Sequence, residues 1–409
     1  MARGAGPVAI AGAGIAGLTA ALAFSAGKIP SRIFERAPRF EEVGAGIQLS
    51  PNATRILRRL GALDRLLAHA VKPKSIDIRD AGTLKRLARV PLGEAGERRW
   101  GAPYLVIHRS DLQDALVQLV AERTDIELTA DARVTGIDPI TDGARLSVTR
   151  AGGAEDFPCR FAVGADGVWS TLRDLAGRPG TSRYTGYLAW RATIDADASA
   201  VKILGEAMPS DRVTTFLSPR FHLVAYPVRG GREINLVAVT RGAGLSREWS
   251  NLADPSLLNS TLKRAAPRLR ELVGAAPSWR AWPIHAVASD CPWTFESRLV
   301  LIGDAAHAMS PYAAQGAAMA IEDADVLAQM AAESADTAEV FARYEAARRE
   351  RVRRVAARGA FNRFAWHAAG PFALGRNLVL SLRGPERLAG DLDWLYGWSF
   401  EARSARSSG

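Results

Sequence analysis

The order of apolar and turn-rich segments predicts an α/β protein, with an antiparallel sheet in its middle and helices at its end. Three observations lead there. PVAIAGAGIAGLTAALAFSAG (7–27) followed by SRIFER reads as strand, glycine-rich turn, helix, strand. Between Tyr184 and Val239, the runs YLAWRATI, VTTFLS, FHLVAYPV and EINLVAV are strand-like and are separated by Pro and Gly. RLVLIGDAA (298–306) reads as a buried strand, and helical patterns continue from it to about Trp398.

At 409 residues the chain is long enough for two interleaved domains and a tail, and 48% hydrophobic with 23% charged residues is ordinary for a globular protein. Val8 to Gly27 follows Arg3 and carries no charge. Its apolar content is mostly Ala and Gly, which insert weakly into membranes, so a core βα unit is expected rather than a signal peptide or membrane span. A cytoplasmic location follows. Cys159 and Cys291 are too few for a disulfide framework, and no His/Cys/Asp cluster has ligand spacing, so no metal is expected. A net charge of +10 suits anionic ligands, but no nucleic-acid-binding signature accompanies it. The arginines of RRERVRRVAAR (348–358) are expected on a solvated helix face.

Local signals place the other elements. SPNATRILRRLGALDRLL (50–67) predicts a helix capped by Ser50, with Pro51 in its first turn. IHRSDLQDALVQLVAE (107–122) predicts another, with Ser110 and Gln113 at capping-box spacing. Residues 132–167 alternate strands and turns as an antiparallel meander does, and 255–274 look helical. The final SARSSG is expected to be disordered.

Gly12-Ala13-Gly14-Ile15-Ala16-Gly17 is the first site. Gly12 permits a tight turn, Gly14 lets backbone approach a pyrophosphate, and Gly17 lets the helix pack closely on the strand. Such spacing alone is weak evidence. Here it follows a strand, opens a helix, and is joined by Glu35 at the end of the next strand, where a carboxylate can bond ribose hydroxyls. The expectation is a Rossmann-type dinucleotide site. Arg36 could favour a phosphorylated ribose or simply be an exposed arginine beside Glu35.

Three further motifs fall in a telling order: VGADGVWSTLR (163–173), GDAAHAMSPYAAQG (303–316) and DWLYGW (393–398). With GAGIAG, FERAP, GAGIQLSPN (44–52), IHR (107–109), YTGYLAWR and FHLVAYPV, the chain resembles the FAD-dependent aromatic hydroxylases. Within that family it is most similar to the salicylate hydroxylase and 6-hydroxynicotinate monooxygenase branch. The resemblance implies a p-hydroxybenzoate-hydroxylase-like fold: a discontinuous FAD domain (1–72, 102–178, 290–335), an antiparallel substrate domain (73–101, 179–289) and a C-terminal helical region (336–409).

By that resemblance, Asp304 would accept hydrogen bonds from the ribityl chain of FAD. Gly316 and Ala317 would offer free N–H groups at a helix start to the anionic side of a reduced flavin. Pro311 would wall the ring, and Gly316 would leave it room. Arg109 would reach the pyrophosphate or ribityl chain, Gly46, Ile47 and Gln48 would lie along the isoalloxazine, and Val134 beside the adenine. Ala16 and Asp166 belong to the same cofactor set. NAD(P)H, with no second glycine-rich βαβ unit, would visit a groove transiently. His307 is read as a structural hydrogen bonder.

The implied reaction is NAD(P)H- and O2-dependent hydroxylation of a small aromatic or heteroaromatic acid through a flavin C4a-hydroperoxide, by a monomer or homodimer. Electrophilic oxygen transfer favours a phenolate, which calls for a base. His222 and Tyr226 are four apart on a strand and share a face; His222 is the candidate base and Tyr226 a substrate orienter. Arg191 could hold a carboxylate. After Trp282-Pro283 the chain departs from the branch: it reads IHAVASD, which makes His285 a second candidate base and puts the substrate's identity in doubt. Epoxidation, urate-type oxidation, polyketide tailoring and a non-catalytic flavin or prenyl carrier remain as alternatives.

Overall fold

A computed structural model describes residues 6–39, 46–243 and 254–400. The predicted disordered SARSSG tail lies outside the described residues. Two large sheets organise the chain. A six-stranded sheet runs Thr294–Phe295, Leu299–Leu301, Ala162–Gly164, Val8–Ala11, Ser31–Phe34, Ile126–Thr129. All its pairs are parallel except the first, an antiparallel edge. Helices cover its strands, so Val8–Ala11 and Leu299–Leu301 are buried throughout and read as unbroken apolar runs. The uncharged segment at 8–27 is therefore a strand and a helix, Ile15–Ala26, whose Leu18, Ala20, Ala21 and Phe24 are fully buried. Among the described residues no helix is long and apolar enough to cross a membrane.

The second sheet has seven strands, ordered Arg280–Val287, Ser182–Asp195, Glu233–Arg241, Phe221–Val228, Val213–Leu217, Ser75–Asp80, Arg86–Pro91. It departs from a purely antiparallel sheet at one place: Val213–Leu217 pairs in parallel with Ser75–Asp80. A hairpin forces antiparallel pairing, whereas the long excursion between these strands leaves either direction open. The meander is also shorter than its letters imply. Arg133–Ile140, Gly143–Arg150 and Gly153–Cys159 form a three-stranded sheet, but Ala162–Gly164 leaves it for the parallel sheet, drawn there by its fully buried side chains.

Both predicted caps are corrected. Ser50 is the N-cap of Pro51–Arg59, yet its side chain makes no capping bond; its Oγ donates to Asn52 Oδ1 at 2.6 Å and accepts from Gln315 Nε2 at 2.9 Å. A buried network claims it instead. The helix Arg109–Ala121 is capped by His108, whose ring accepts from the Ser110 N–H, so Ser110 is not the cap. Gln113 turns away to donate to the Ala13 carbonyl at 3.0 Å, bracing the glycine loop.

The arginine run is corrected at two positions, since Arg353 and Arg354 are exposed as expected but Arg348 and Arg351 are not. Arg348 is completely buried and Arg351 nearly so. The helix that carries them, Thr337–Trp366, packs on Gly316–Glu333 and meets its buried Glu322 and Asp323. Arg348 bonds both carboxylates at 2.6 and 2.7 Å, and Arg351 reaches Glu322 at 2.9 Å. Such charges are tolerated inside only as pairs.

Candidate active site

Between the two sheets lies a cavity of about 1030 Å³. It is lined by Gly12, Gly14, Ala16, Glu35, Arg36, Gln48, Arg109, Val134 and Asp166 on one side. Asp304 and Pro311 line it from the turn before the Gly316–Glu333 helix, Gly316 and Ala317 from the start of that helix, and Arg191, His222, Tyr226 and His285 from the large sheet. Of the predicted site residues, only Gly17 is absent from this wall. Its work is internal, since a Cβ there would sit 1.9 Å from the Gly12 oxygen.

The glycine loop is held from two directions. Gly12 has φ +104°, and a Cβ on it would lie 2.6 Å from the Ala165 oxygen. Glu35 accepts from the Ala13 N–H at 2.7 Å and the Ala37 N–H at 2.9 Å, which leaves lone pairs on both oxygens for a further donor. Ala16 touches the second motif, because a Cβ on Gly303 would meet the Ala16 Cβ at 3.3 Å.

Asp304 follows Gly303, whose N–H donates to Asp323 Oδ2 at 2.9 Å. His307 Nε2 lies 2.5 Å from the same oxygen and is buried. Burial alone would raise the Asp323 pKa, but His307 and Arg348 beside it hold the carboxyl down at about 2. Gln315, fully inside, bonds Ser50 and Asn52, and Asn52 passes the chain on to Glu322 at 2.7 Å. The buried ion cluster thus sets both ends of the 303–316 turn.

Two features fit a bound dinucleotide. A Cβ on Gly14 or Gly316 would meet no atom within 4 Å, so both backbones face open space at a helix start. Asp166 accepts from the Leu172 N–H at 3.1 Å through Oδ2, while its buried Oδ1 has no hydrogen-bond partner among the described residues. Arg173, by contrast, is spent on carbonyls, donating to Ala305 at 2.7 Å and Val168 at 2.8 Å.

Strand register builds the sheet wall. His222 lies opposite Val239, which lies opposite Ala189; Val224, Val237 and Arg191 form the next inward row. Alternation puts His222, Val224 and Tyr226 on one face, and all three line the cavity. Gly46 makes room for Tyr226, since a Cβ there would be 2.5 Å from its ring. Burial pushes the Tyr226 hydroxyl up, and nearby Arg191 opposes that. Arg191 also stands 5.5 Å from the Trp282 ring. Two wall residues carry no motif signal, Tyr104, whose hydroxyl donates to Gln48 Oε1 at 2.6 Å, and Trp366; two more, Tyr312 and Trp169, lie within the quoted motifs but were not singled out there. His285 belongs to another part of the wall, on the edge strand against Trp169 at 4.1 Å.

His222 has an unforeseen partner. Its Nδ1 lies 3.1 Å from Nε2 of His367, at the end of the Thr337–Trp366 helix. Burial, then His367, holds His222 well below its ordinary pKa. Burial, then Arg241, Arg363 and Arg376, brings His367 down from 6.5 to about 4. Groups with depressed values contribute stability above their unfolded pKa and lose it as pH falls. Between pH 6.5 and about 4, unfolding free energy should therefore drop by about 1.4 kcal/mol per pH unit for each proton taken up. Urea titrations across that window should show the slope, and His367→Gln should reduce it to what His222 contributes.

A family model described as an FAD binding domain matches residues 6–359. The chain belongs to this family, as one of the FAD-dependent aromatic hydroxylases. Over 96% of both chains, the hydroxylase is 33% identical to the 3-hydroxybenzoate 6-hydroxylase of Polaromonas naphthalenivorans. It is 35% identical to the 3-amino-4-hydroxybenzoate 2-monooxygenase of Streptomyces cremeus, over 95% of this chain and 94% of that one. Among solved structures, HpxO of Klebsiella pneumoniae complexed with FAD and uric acid superposes with a TM-score of 0.79 at 25% identity, covering 94% of this chain and 95% of the other.

Proposed function

We propose that the hydroxylase acts on a small aromatic acid with a ring hydroxyl, held between the Pro311–Gly316 turn and the wall formed by Arg191, His222 and Tyr226. The observation that carries this reading is the buried His222, which lines the same cavity as the glycine loop and stands 5.0 Å from the ring of Tyr312, next to Pro311. Both named relatives act on hydroxybenzoates. Arg191 supplies a positive charge for the carboxylate.

Bound FAD supplies electron transfer from NAD(P)H and activation of O2. The protein does the rest. The N–H groups of Gly316 and Ala317 at the helix start favour negative charge nearby. Gly12, Gly14 and Glu35 hold the adenosine end, with Arg36 and Val134 beside it; Asp304, Arg109, Gln48 and Asp166 serve the middle. His222, kept unprotonated by burial and by His367, has a ring nitrogen lone pair to take the phenol proton and leave an electron-rich ring for oxygen attack, provided that proton is passed on. Tyr226 keeps its own proton and orients the substrate by donating a hydrogen bond. The hydroxylase works in the cytoplasm, as a monomer or homodimer.

The test is a panel of 3-hydroxybenzoate, 4-hydroxybenzoate, 3-amino-4-hydroxybenzoate, salicylate and 6-hydroxynicotinate, with uric acid as control. NAD(P)H oxidation and product mass are both recorded, because uncoupled oxidation also consumes nicotinamide. At least one phenolic acid should gain one oxygen atom; no oxygenated product from any of them refutes the reading. His222→Ala should lower product formation about 100-fold with FAD retained. An unchanged turnover and pH profile would remove His222 from its role.

A further inference from the structure

A base with so low a pKa can take a proton but cannot keep it, and His222 is only 3% exposed. Rings close around it, Tyr312 at 5.0 Å and Trp366 at 4.9 Å between centroids. The polar contact of its Nδ1 is His367 Nε2 at 3.1 Å. His367 is half-buried and follows the last residue of the 30-residue helix, so it touches His222 on one side while part of it remains exposed.

We propose that His367 is a positioning residue for His222 and the exit for the proton that the substrate releases. The proposal rests on the reading of His222 as the base. His222 Nδ1–H donates to His367 Nε2, which leaves His222 Nε2 unprotonated toward the cavity. The phenol O–H bond breaks and its proton goes to Nε2. The Nδ1 proton moves to His367 Nε2, and His367 Nδ1 gives one proton to water. One proton leaves the phenol and one reaches solvent. The same steps in reverse return a proton to the product and restore both tautomers.

The surroundings suit a conduit better than a store. Arg363 belongs to the same helix as His367, Arg241 comes from the neighbouring sheet strand, and Arg376 comes from Gly370–Leu382, donating to the Ala365 and Trp366 carbonyls at 3.0 and 3.1 Å. Tyr187 and Tyr312 are the other titratable groups against His367, with ring centroids at 6.1 and 5.7 Å. Burial first, and then these cations, keep His367 neutral, so an arriving proton moves on.

The test uses the FAD-loaded full chain and whichever phenolic acid of the panel is oxygenated. His367→Ala, His367→Gln and His222→Ala are compared for product formation and for ionisation of the bound phenol after a pH jump, followed in the near ultraviolet. Glutamine can accept the Nδ1 hydrogen bond but cannot relay a proton. Both His367 variants should therefore be slowed about 10-fold or more in each readout, with FAD content and KM within about threefold of the parent. Added imidazole should restore part of the rate in His367→Ala. Parental rates in His367→Gln overturn the relay, whatever His367→Ala does. If His222→Ala is slow while both His367 variants match the parent, the base reading stands and this proposal falls. If His222→Ala matches the parent, the base reading itself fails.

Discussion

Replacing Gly14 with valine should yield a folded but colourless protein. Gly14 is the N-cap residue of Ile15–Ala26, with φ −74° and ψ −177°, an extended conformation open to valine. A Cβ there touches nothing within 4 Å, so the fold has no objection to it. The side chain would instead occupy the space where the first helical N–H groups converge. FAD affinity should fall at least about 100-fold, about 2.7 kcal/mol, with thermal unfolding of the apoprotein little changed. Gly17→Ala makes the contrast. Its Cβ, 1.9 Å from the Gly12 oxygen, forces the loop apart, so the protein itself should lose about 3 kcal/mol or more. Absorbance near 450 nm relative to 280 nm reports the flavin, and circular dichroism melting reports the fold. A yellow Gly14→Val protein with parental FAD affinity would mean that the cofactor does not cross this loop.

Arg348→Met should be the most destabilising single change outside the glycine loop. It leaves the fully buried carboxylate of Glu322 with Arg351 alone and that of Asp323 with His307 alone, and removing one partner of a buried ion cluster costs about 3–5 kcal/mol. Asp323 also holds the Gly303 N–H, and Glu322 reaches Gln315 through Asn52. FAD retention should therefore decline along with stability. The acid limit should move too. In the parent, Asp323 contributes stability above its ordinary pKa of 3.8 that is lost as pH falls toward about 2. Without Arg348 its folded value rises and acid unfolding begins at higher pH. Adding Asp323→Asn to Arg348→Met should recover part of the loss, because one uncompensated charge is gone. Urea denaturation across pH checks both statements, and a parental midpoint in Arg348→Met would show that the cluster is not a stabilising centre.

What was legible in the letters was what the backbone demands locally. Gly12, Gly14 and Gly17 are constrained within one turn, and Glu35 ends the next strand, so spacing exposes them. Alternation likewise put His222 and Tyr226 on one face. Pairings between distant segments left no such trace. The arginines at 348 and 351 read as solvated because their acids stand on another helix, at 322 and 323. His367 shows nothing in its neighbourhood to announce a partner 145 positions away. The caps misled for a related reason: Ser50 and Gln113 satisfy the local rule, but a buried network and the Ala13 carbonyl outbid it.

The interleaving of the two sheets has a consequence for synthesis. Leu299–Leu301 is inserted beside Ala162–Gly164, and Arg280–Val287 completes the edge beside Ser182–Asp195. Neither layer can close until about three quarters of the polypeptide has left the ribosome, on the order of 15–60 s into translation. Nascent chains must therefore shelter unpaired strand edges for that whole interval, and fragments cut between residues 164 and 280 should aggregate rather than fold.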